Sequence, residues 1–235
     1  MDIVVSSPYF AVWKGQRLTA RPQSSSVAKQ RPAASPRRLN HAVLTPPLLS
    51  GNLGVVTQSG ELSAYASYIY DSIGKRIYFS EFGQYDNHQF KLDVLLLFNQ
   101  GVKYTFNNEA GTCKKTPLKK TFMPADIPRN ATFLSEEILG TSSIQGQGLL
   151  VNTWTGDVPA TQGKYMTTVT QIGCIPVSSL YYTPKTGWIV TSFINTVLGM
   201  ANPELLLPPK TCDNAPLETT EPEDFFSTFR KKGSQ

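Results

Sequence analysis

The sequence has little of what enzyme active sites require. Its 235 residues include only two histidines, His41 and His88, and neither belongs to a recognisable catalytic motif. A nucleophile elbow, a phosphate-binding loop, a zinc-protease motif and an EF-hand calcium loop are all absent. We therefore predict that the protein is not an enzyme, and residue spacing defines no metal site.

Long apolar runs and cysteines are also scarce. No uninterrupted apolar stretch is longer than that at residues 94–98, far below the roughly 18 residues that cross a bilayer, so we expect no transmembrane segment. The cysteines Cys113, Cys174 and Cys212 are too widely spaced for a CxxC redox pair or a zinc ribbon. One disulfide with a leftover thiol and three reduced thiols both remain compatible with this spacing.

The net charge of +5 is unevenly distributed. Residues 1–43 contain seven basic side chains and one acidic side chain, whereas residues 44–235 contain 15 basic and 16 acidic ones. The body of the protein is almost neutral, which argues against nucleic-acid binding. Because residues 1–43 are rich in Ser, Pro, Ala and Arg, we predict a disordered basic arm outside the fold, without a visible signal peptide.

From residue 44 onward the pattern changes to strands separated by turns. Alternating apolar residues predict about 9 to 11 antiparallel strands, with short helices only near residues 193–200 and near Phe225. The stretch 67–81 predicts a hairpin that is apolar on both faces, with Tyr68 and Tyr70 opposite Ile69. Such a hairpin is either sandwiched between two layers or lines a cavity for an apolar ligand. The many tyrosines of the sequence, with apolar bodies and polar tips, favour the cavity.

One N-glycosylation sequon is present, at Asn130-Ala131-Thr132. It follows turn-forming residues between two predicted strands, where an acceptor asparagine is exposed. A glycan here requires passage through the secretory pathway, which would also favour a disulfide.

Several long stretches resemble the ependymin family, most closely its fish members, with mammalian ependymin-related proteins as more distant relatives. They are "TPPLLSGNLGV", "CKKTPLKKTFMPADIPRNATF", "GQGLLVNTWTGD", "GKYMTTVTQIGCIPVSSLYYT" and "GWIVTSFINTVLGMANPELLLPPKTC". The resemblance covers about residues 44–220, which we take as the domain, and leaves 221–235 as a flexible carboxyl tail. It implies a mostly β fold, with two curved antiparallel sheets around a hydrophobic pocket, similar to bacterial lipoprotein carriers.

The resemblance also implies roles for individual residues. Cys113 and Cys212 match a pair expected to form a disulfide, and Asn130 matches a glycosylation position. Family members carry a further cysteine where Val43 stands here, so Cys174 is predicted to be unpaired. Because this departure and the missing signal peptide fall at one boundary, we hypothesise that residues 1–43 come from an alternative or mispredicted first exon.

The resemblance implies a secreted or lysosomal, dimeric glycoprotein with a calcium-associated role in cell-matrix contact. We expect a carrier that binds a fatty acid or lipid between the sheets, with no cofactor other than a possible calcium ion. The alternative is a matrix or adhesion protein that binds calcium and no small molecule; its densest acidic run is 218–224. Nine residues are candidates for the pocket wall: Tyr68, Tyr70, Leu95, Leu97, Val151, Trp154, Val169, Trp188 and Val190.

Overall fold

Strands dominate the part of the chain that the structure describes. The computed structural model describes residues 44–107, 109–184 and 186–218. The strands are β1 (Leu48–Thr57), β2 (Leu62–Asp71), β3 (Arg76–Tyr85), β4 (His88–Leu97), β5 (Val102–Asn107), β6 (Thr112–Pro117), β7 (Thr132–Gly140), β8 (Gly148–Val158), β9 (Gly163–Thr170), β10 (Pro176–Thr183) and β11 (Gly187–Leu198). Short 3-10 helices lie at Pro159–Thr161, Pro203–Leu206 and Lys210–Cys212. In these described ranges, no helix has the length and apolar character needed to cross a membrane.

All eleven strands form one antiparallel sheet, in the order β6-β5-β4-β3-β2-β1-β11-β10-β9-β8-β7. The predicted mostly β fold is confirmed. The two expected halves are joined in a single sheet, because β1 pairs with β11 from Leu49↔Leu198 to Thr57↔Ile189. The helix expected at 193–200 is wrong: this stretch is largely the end of β11, where β-branched residues such as Ile194 and Val197 favour a strand. The expected helix near Phe225 and the arm at 1–43 lie outside the described residues.

The connection from β6 to β7 shows that the sheet must curve. These strands are the two edges, and a flat sheet of this width would separate them by about 48 Å at about 4.8 Å per strand. Residues 118–131, which we call the crossing segment, span about 46 to 50 Å only when fully extended. Because the segment also packs into the core, the sheet bends towards it, and the face it covers is here called the inner face.

The inner face holds the main hydrophobic core. Leu53, Tyr70 and Phe79 from the first strands share one cluster with Trp154 and Tyr181 from the other half. Leu118, Ala125 and Ile127 of the crossing segment belong to the same cluster. The crossing segment therefore links the two halves of the sheet across the inner face.

The opposite, outer face carries a second core. The carboxyl-terminal residues 199–218, here called the strap, place Leu206 and Cys212 on a cluster that includes Ile69, Tyr78 and Leu95. The Cys113–Cys212 disulfide, with its Cα atoms 5.4 Å apart, fastens the strap to β6 and confirms the predicted pairing. The hairpin of β2 and β3 is therefore apolar on both sides because it lies between two packed layers, the first of the two alternatives.

Candidate functional site

The nine residues proposed as pocket walls do not share one surface. Tyr68, Tyr70, Trp154 and Val169 lie in the inner cluster. Leu95 and Leu97 lie on the outer face beneath the strap, because they alternate with the inner-facing Val94 and Leu96. Val151 is buried on the side of β8 opposite Trp154, and Trp188 and Val190 lie on the outer face of β11. Four of the nine predicted wall residues therefore lie on the inner face, and the other five do not.

Four polar side chains on the inner face of β8, β9 and β10 contain buried atoms without a hydrogen-bond partner. These atoms are Asn152 Oδ1, Trp154 Nε1, the Tyr165 hydroxyl and Ser179 Oγ. Trp154 is opposite Thr167 on β9, and Thr167 is opposite Ser179 on β10, so both lie in one cross-strand row. Tyr165 and Asn152 occupy the rows on either side. We call these four residues the polar row.

The burial of the polar row is deep enough to have an energetic cost. Trp154, Tyr165 and Ser179 are 9%, 3% and 0% exposed. Burial, with a further contribution from the Asp157 charge, raises the pKa of Tyr165 to about 12, so its hydroxyl stays protonated and can donate. A buried donor without an acceptor costs about 1 to 3 kcal/mol, so an acceptor that reached these atoms would recover part of that cost.

Glycine at position 156 makes room for the Tyr165 side chain. A Cβ atom there would lie 2.6 Å from the Tyr165 hydroxyl oxygen, so the ring extends across β8. The neighbouring Tyr181 is arranged differently, because its hydroxyl forms a 2.6 Å hydrogen bond with Thr161 Oγ1. These two buried tyrosines therefore differ in whether the hydroxyl has a partner.

The hairpin of β7 and β8 exposes an unusual amount of apolar surface. Phe133, Ile138 and Leu150 lie on the inner face, continuing from Trp154 towards the edge of the sheet. The Phe133 ring packs on the Trp154 ring with centroids 5.1 Å apart. The other exposed apolar side chains of this hairpin are Leu134, Leu139, Ile144 and Leu149. An exposed apolar patch beside buried polar groups is typical of a binding surface.

The remaining predicted site residues lie apart from the polar row. Asn130 is exposed in the turn before β7, as a glycosylation site requires. Cys174 is half-buried between β9 and β10 and is not in a disulfide. Burial and the nearby Asp126 charge raise the pKa of the Cys174 thiol.

The part of the chain that the structure describes contains one histidine and no group for a metal ion. His88 is exposed at the start of β4, and His41 lies outside the described residues. Across residues 44–107, 109–184 and 186–218, no group of three or more His, Cys, Asp or Glu side chains could hold a metal ion.

The chain is similar to known ependymins over most of its length. The family model described as Ependymin matches residues 86–212. Ependymin-2 of Carassius auratus is 33% identical over 199 residues, covering 84% of this chain and 90% of that protein. Ependymin-1 of Oncorhynchus mykiss is 34% identical over 192 residues, covering 79% and 86%. Mammalian ependymin-related protein 1 of Mus musculus is 30% identical over 126 residues, covering 52% and 54%.

A solved structure of an uncharacterized conserved protein from Thermus thermophilus is also similar. Its TM-score is 0.48 at 8% identity, with 74% of this chain and 90% of that chain covered. This likeness is too weak to support a conclusion about function, whereas the identity to the fish proteins is sufficient for a family assignment. On that identity and on the family match over residues 86–212, the chain belongs to the ependymin family.

Proposed function

We propose that this ependymin is a secreted, non-enzymatic glycoprotein that carries an amphipathic small molecule on the inner face of its sheet. Family membership supports secretion and glycosylation, with the lysosome as a second compartment. The observation that carries the ligand proposal is the polar row, whose buried donors lie beside an exposed apolar hairpin.

The two neighbouring surfaces fit the two ends of such a ligand. Trp154 Nε1, the Tyr165 hydroxyl and Ser179 Oγ can donate to the oxygen of a small polar end, such as that of a fatty acid or fatty alcohol. The apolar chain would then lie along Phe133, Ile138 and Leu150. Burying about 300 Å² of the chain at roughly 25 cal/mol per Å² gives about 7 kcal/mol before ordering costs, consistent with micromolar binding.

A matched pair of tyrosine variants tests the proposal. In Tyr165→Phe the lost hydroxyl has no protein partner, so we expect a ligand-free protein that is at least as stable, because the cost of burying an unpaired donor is removed. We also expect at least about fivefold weaker binding of a fluorescent fatty acid, equivalent to about 1 kcal/mol. In Tyr181→Phe the lost hydroxyl is bonded to Thr161, so we expect a less stable protein with unchanged affinity. Equal affinities in the two variants would contradict the role of the polar row.

The free edge of β7 favours a second function, in which contact between protein chains is the activity. β7 ends the sheet and exposes apolar side chains on both faces, a combination that invites pairing with another strand. We propose that two copies pair antiparallel through β7.

In this second function the protein is a matrix or adhesion component. Calcium binding would belong to it, with the acidic run at 218–224 as candidate ligands; only Glu218 of that run is described. Calcium-dependent aggregation of beads that carry lipid-free protein would support this function. A loss of aggregation in Glu218→Gln, but not in the matched Glu204→Gln, would locate the ion at this run.

A further inference from the structure

A groove on the outer face is separate from the polar row. It crosses β3, β2, β1 and β11, and its lining includes Gly54, Val56, Ser63, Tyr65, Phe82 and Ser192, around a volume of about 400 Å³. A neighbouring depression of about 920 Å³ shares Ser63 and Phe82 with it and continues to Gln84 and Gln89. We call the two together the outer groove.

Gly54 leaves the floor of the outer groove open, although neither the backbone conformation nor the packing at this position requires a glycine. Gly54 lies between Tyr65 and Ser192 in a cross-strand row, and a Cβ added to it would meet nothing within 4 Å. Its φ is outside the left-handed region, so its backbone conformation would accept other residues. A glycine inside a strand is unfavourable and often marks a position that a ligand approaches closely.

Two aromatic rings form one wall of the outer groove. Tyr65 and Phe82 pack with ring centroids 5.4 Å apart and a tilt of 46°. Phe82 is 55% exposed, and Val56 on the far side of the floor is 46% exposed. The outer groove therefore exposes the flat apolar faces of aromatic rings to solvent.

The polar side chains of the outer groove are almost all uncharged. Ser63 and Ser192 supply hydroxyls, and Gln84 and Gln89 supply amides. The charged side chain in its lining, Lys91, forms an ion pair with Glu109. A charged ligand would thus find no uncompensated opposite charge, and a neutral ligand with hydrogen-bonding groups is the better match.

We infer that the outer groove binds a neutral saccharide. A sugar ring can lay its C–H face on Phe82 and Tyr65, place an edge above Gly54, and pair its hydroxyls with the serine and glutamine side chains. An acyl chain would remain half in water in so shallow a groove. An extended peptide would find no free backbone, because β1, β2 and β3 are interior strands paired on both sides.

The test uses the intact, folded protein on an array of neutral and sialylated glycans, followed by titration of the best neutral glycan. Gly54→Leu fills the floor and Phe82→Ser removes a wall, and each should weaken binding at least tenfold. Ser67→Leu is the matched control, because Ser67 is exposed on the same face of β2 but does not line the groove. It should bind as the unmodified protein does, and all three variants should melt cooperatively.

Three results would overturn the inference. The first is an array on which no neutral glycan binds, or on which only the sialylated glycans bind. The second is a Gly54→Leu variant that keeps full affinity while remaining folded. The third is a fluorescent fatty acid whose binding is lost in Gly54→Leu, since that would assign the groove to a lipid.

Discussion

The Tyr70 hydroxyl accepts a 3.0 Å hydrogen bond from the backbone N–H of Ala125, 55 residues further along the chain. The Phe122 ring stacks on the same tyrosine at 6.0 Å, so the crossing segment is held against the carboxyl-terminal end of β2. Thr45 strengthens this junction, since its backbone N–H donates to Asp126 and its hydroxyl to the Ala125 carbonyl. This small polar junction fixes the crossing segment that lies over the inner face.

Tyr70→Phe should destabilise the protein by about 1 to 3 kcal/mol, because the buried Ala125 N–H loses its acceptor. Urea unfolding measures the change. Tyr165→Phe is the control and should not destabilise the ligand-free protein, since it removes an unpaired buried hydroxyl rather than a hydrogen bond. Equal stabilities for the two variants would show that the Tyr70 contact contributes little.

Cys113→Ala should remove up to about 4 to 5 kcal/mol of stability, because the disulfide closes a loop across a sequence separation of 99 residues. The strap should then detach and expose the outer cluster around Leu206. Hydrogen exchange would detect this as lost protection in residues 199–218. Cys174→Ala, which breaks no disulfide, should leave the strap protected.

Alkylation of Cys174 should require a higher pH than alkylation of a cysteine in a short peptide. Burial and the Asp126 charge raise the pKa of the thiol, so less of the reactive thiolate is present at any given pH. Asp126→Asn removes the charge and should shift the rate profile part of the way back to lower pH. A native profile that coincides with that of the peptide would contradict the account.

Val43→Cys should form a disulfide with Cys174, restoring the pair that the family resemblance implies. Position 43 is two residues before Thr45, which bonds to Asp126, and Asp126 is close enough to Cys174 to raise the pKa of its thiol. Peptide mapping by mass spectrometry would identify the bond. Recovery of both cysteines as free thiols from oxidised protein would contradict this prediction.

Ile138→Lys should convert a dimer into a monomer if two copies pair through β7. The added charges would lie at the proposed interface, where apolar contact is needed. Light scattering after size-exclusion chromatography measures the mass. Ile73→Lys is the control, because Ile73 is 72% exposed in the turn between β2 and β3. Dimers in both variants would place the interface elsewhere.

The sequence predicts the strands better than it predicts their faces. Alternation at residues 62–70 and 187–194 correctly identifies β2 and β11, and the two apolar faces of the 67–81 hairpin correspond to two real cores. Alternation cannot say which side of a strand faces inward, so the predicted pocket wall includes Leu95 and Trp188 together with Tyr70, although they lie on the opposite face. The face that each side chain occupies depends on the positions of the strap and the crossing segment. Their contacts with the sheet exist only in the folded protein.

The polar row was largely missed because its members are unremarkable in sequence. Trp154 is among the predicted wall residues, whereas Asn152, Tyr165 and Ser179 share a surface only through the pairing of β8, β9 and β10. The alternation of Tyr165, Thr167 and Val169 was an available signal, since it places all three on one face. The absence of hydrogen-bond partners could be seen only in three dimensions.

Mass spectrometry of an organic extract of the secreted protein, made before and after displacement with a fluorescent fatty acid, would show whether the protein carries a ligand. We expect one amphipathic molecule per polar row, released in step with uptake of the probe. Protein carrying Tyr165→Phe and Ser179→Ala should retain much less of that molecule than Tyr181→Phe does. A folded protein that yields no such molecule and takes up no probe would contradict the carrier function and leave chain-to-chain contact through β7 as the better account.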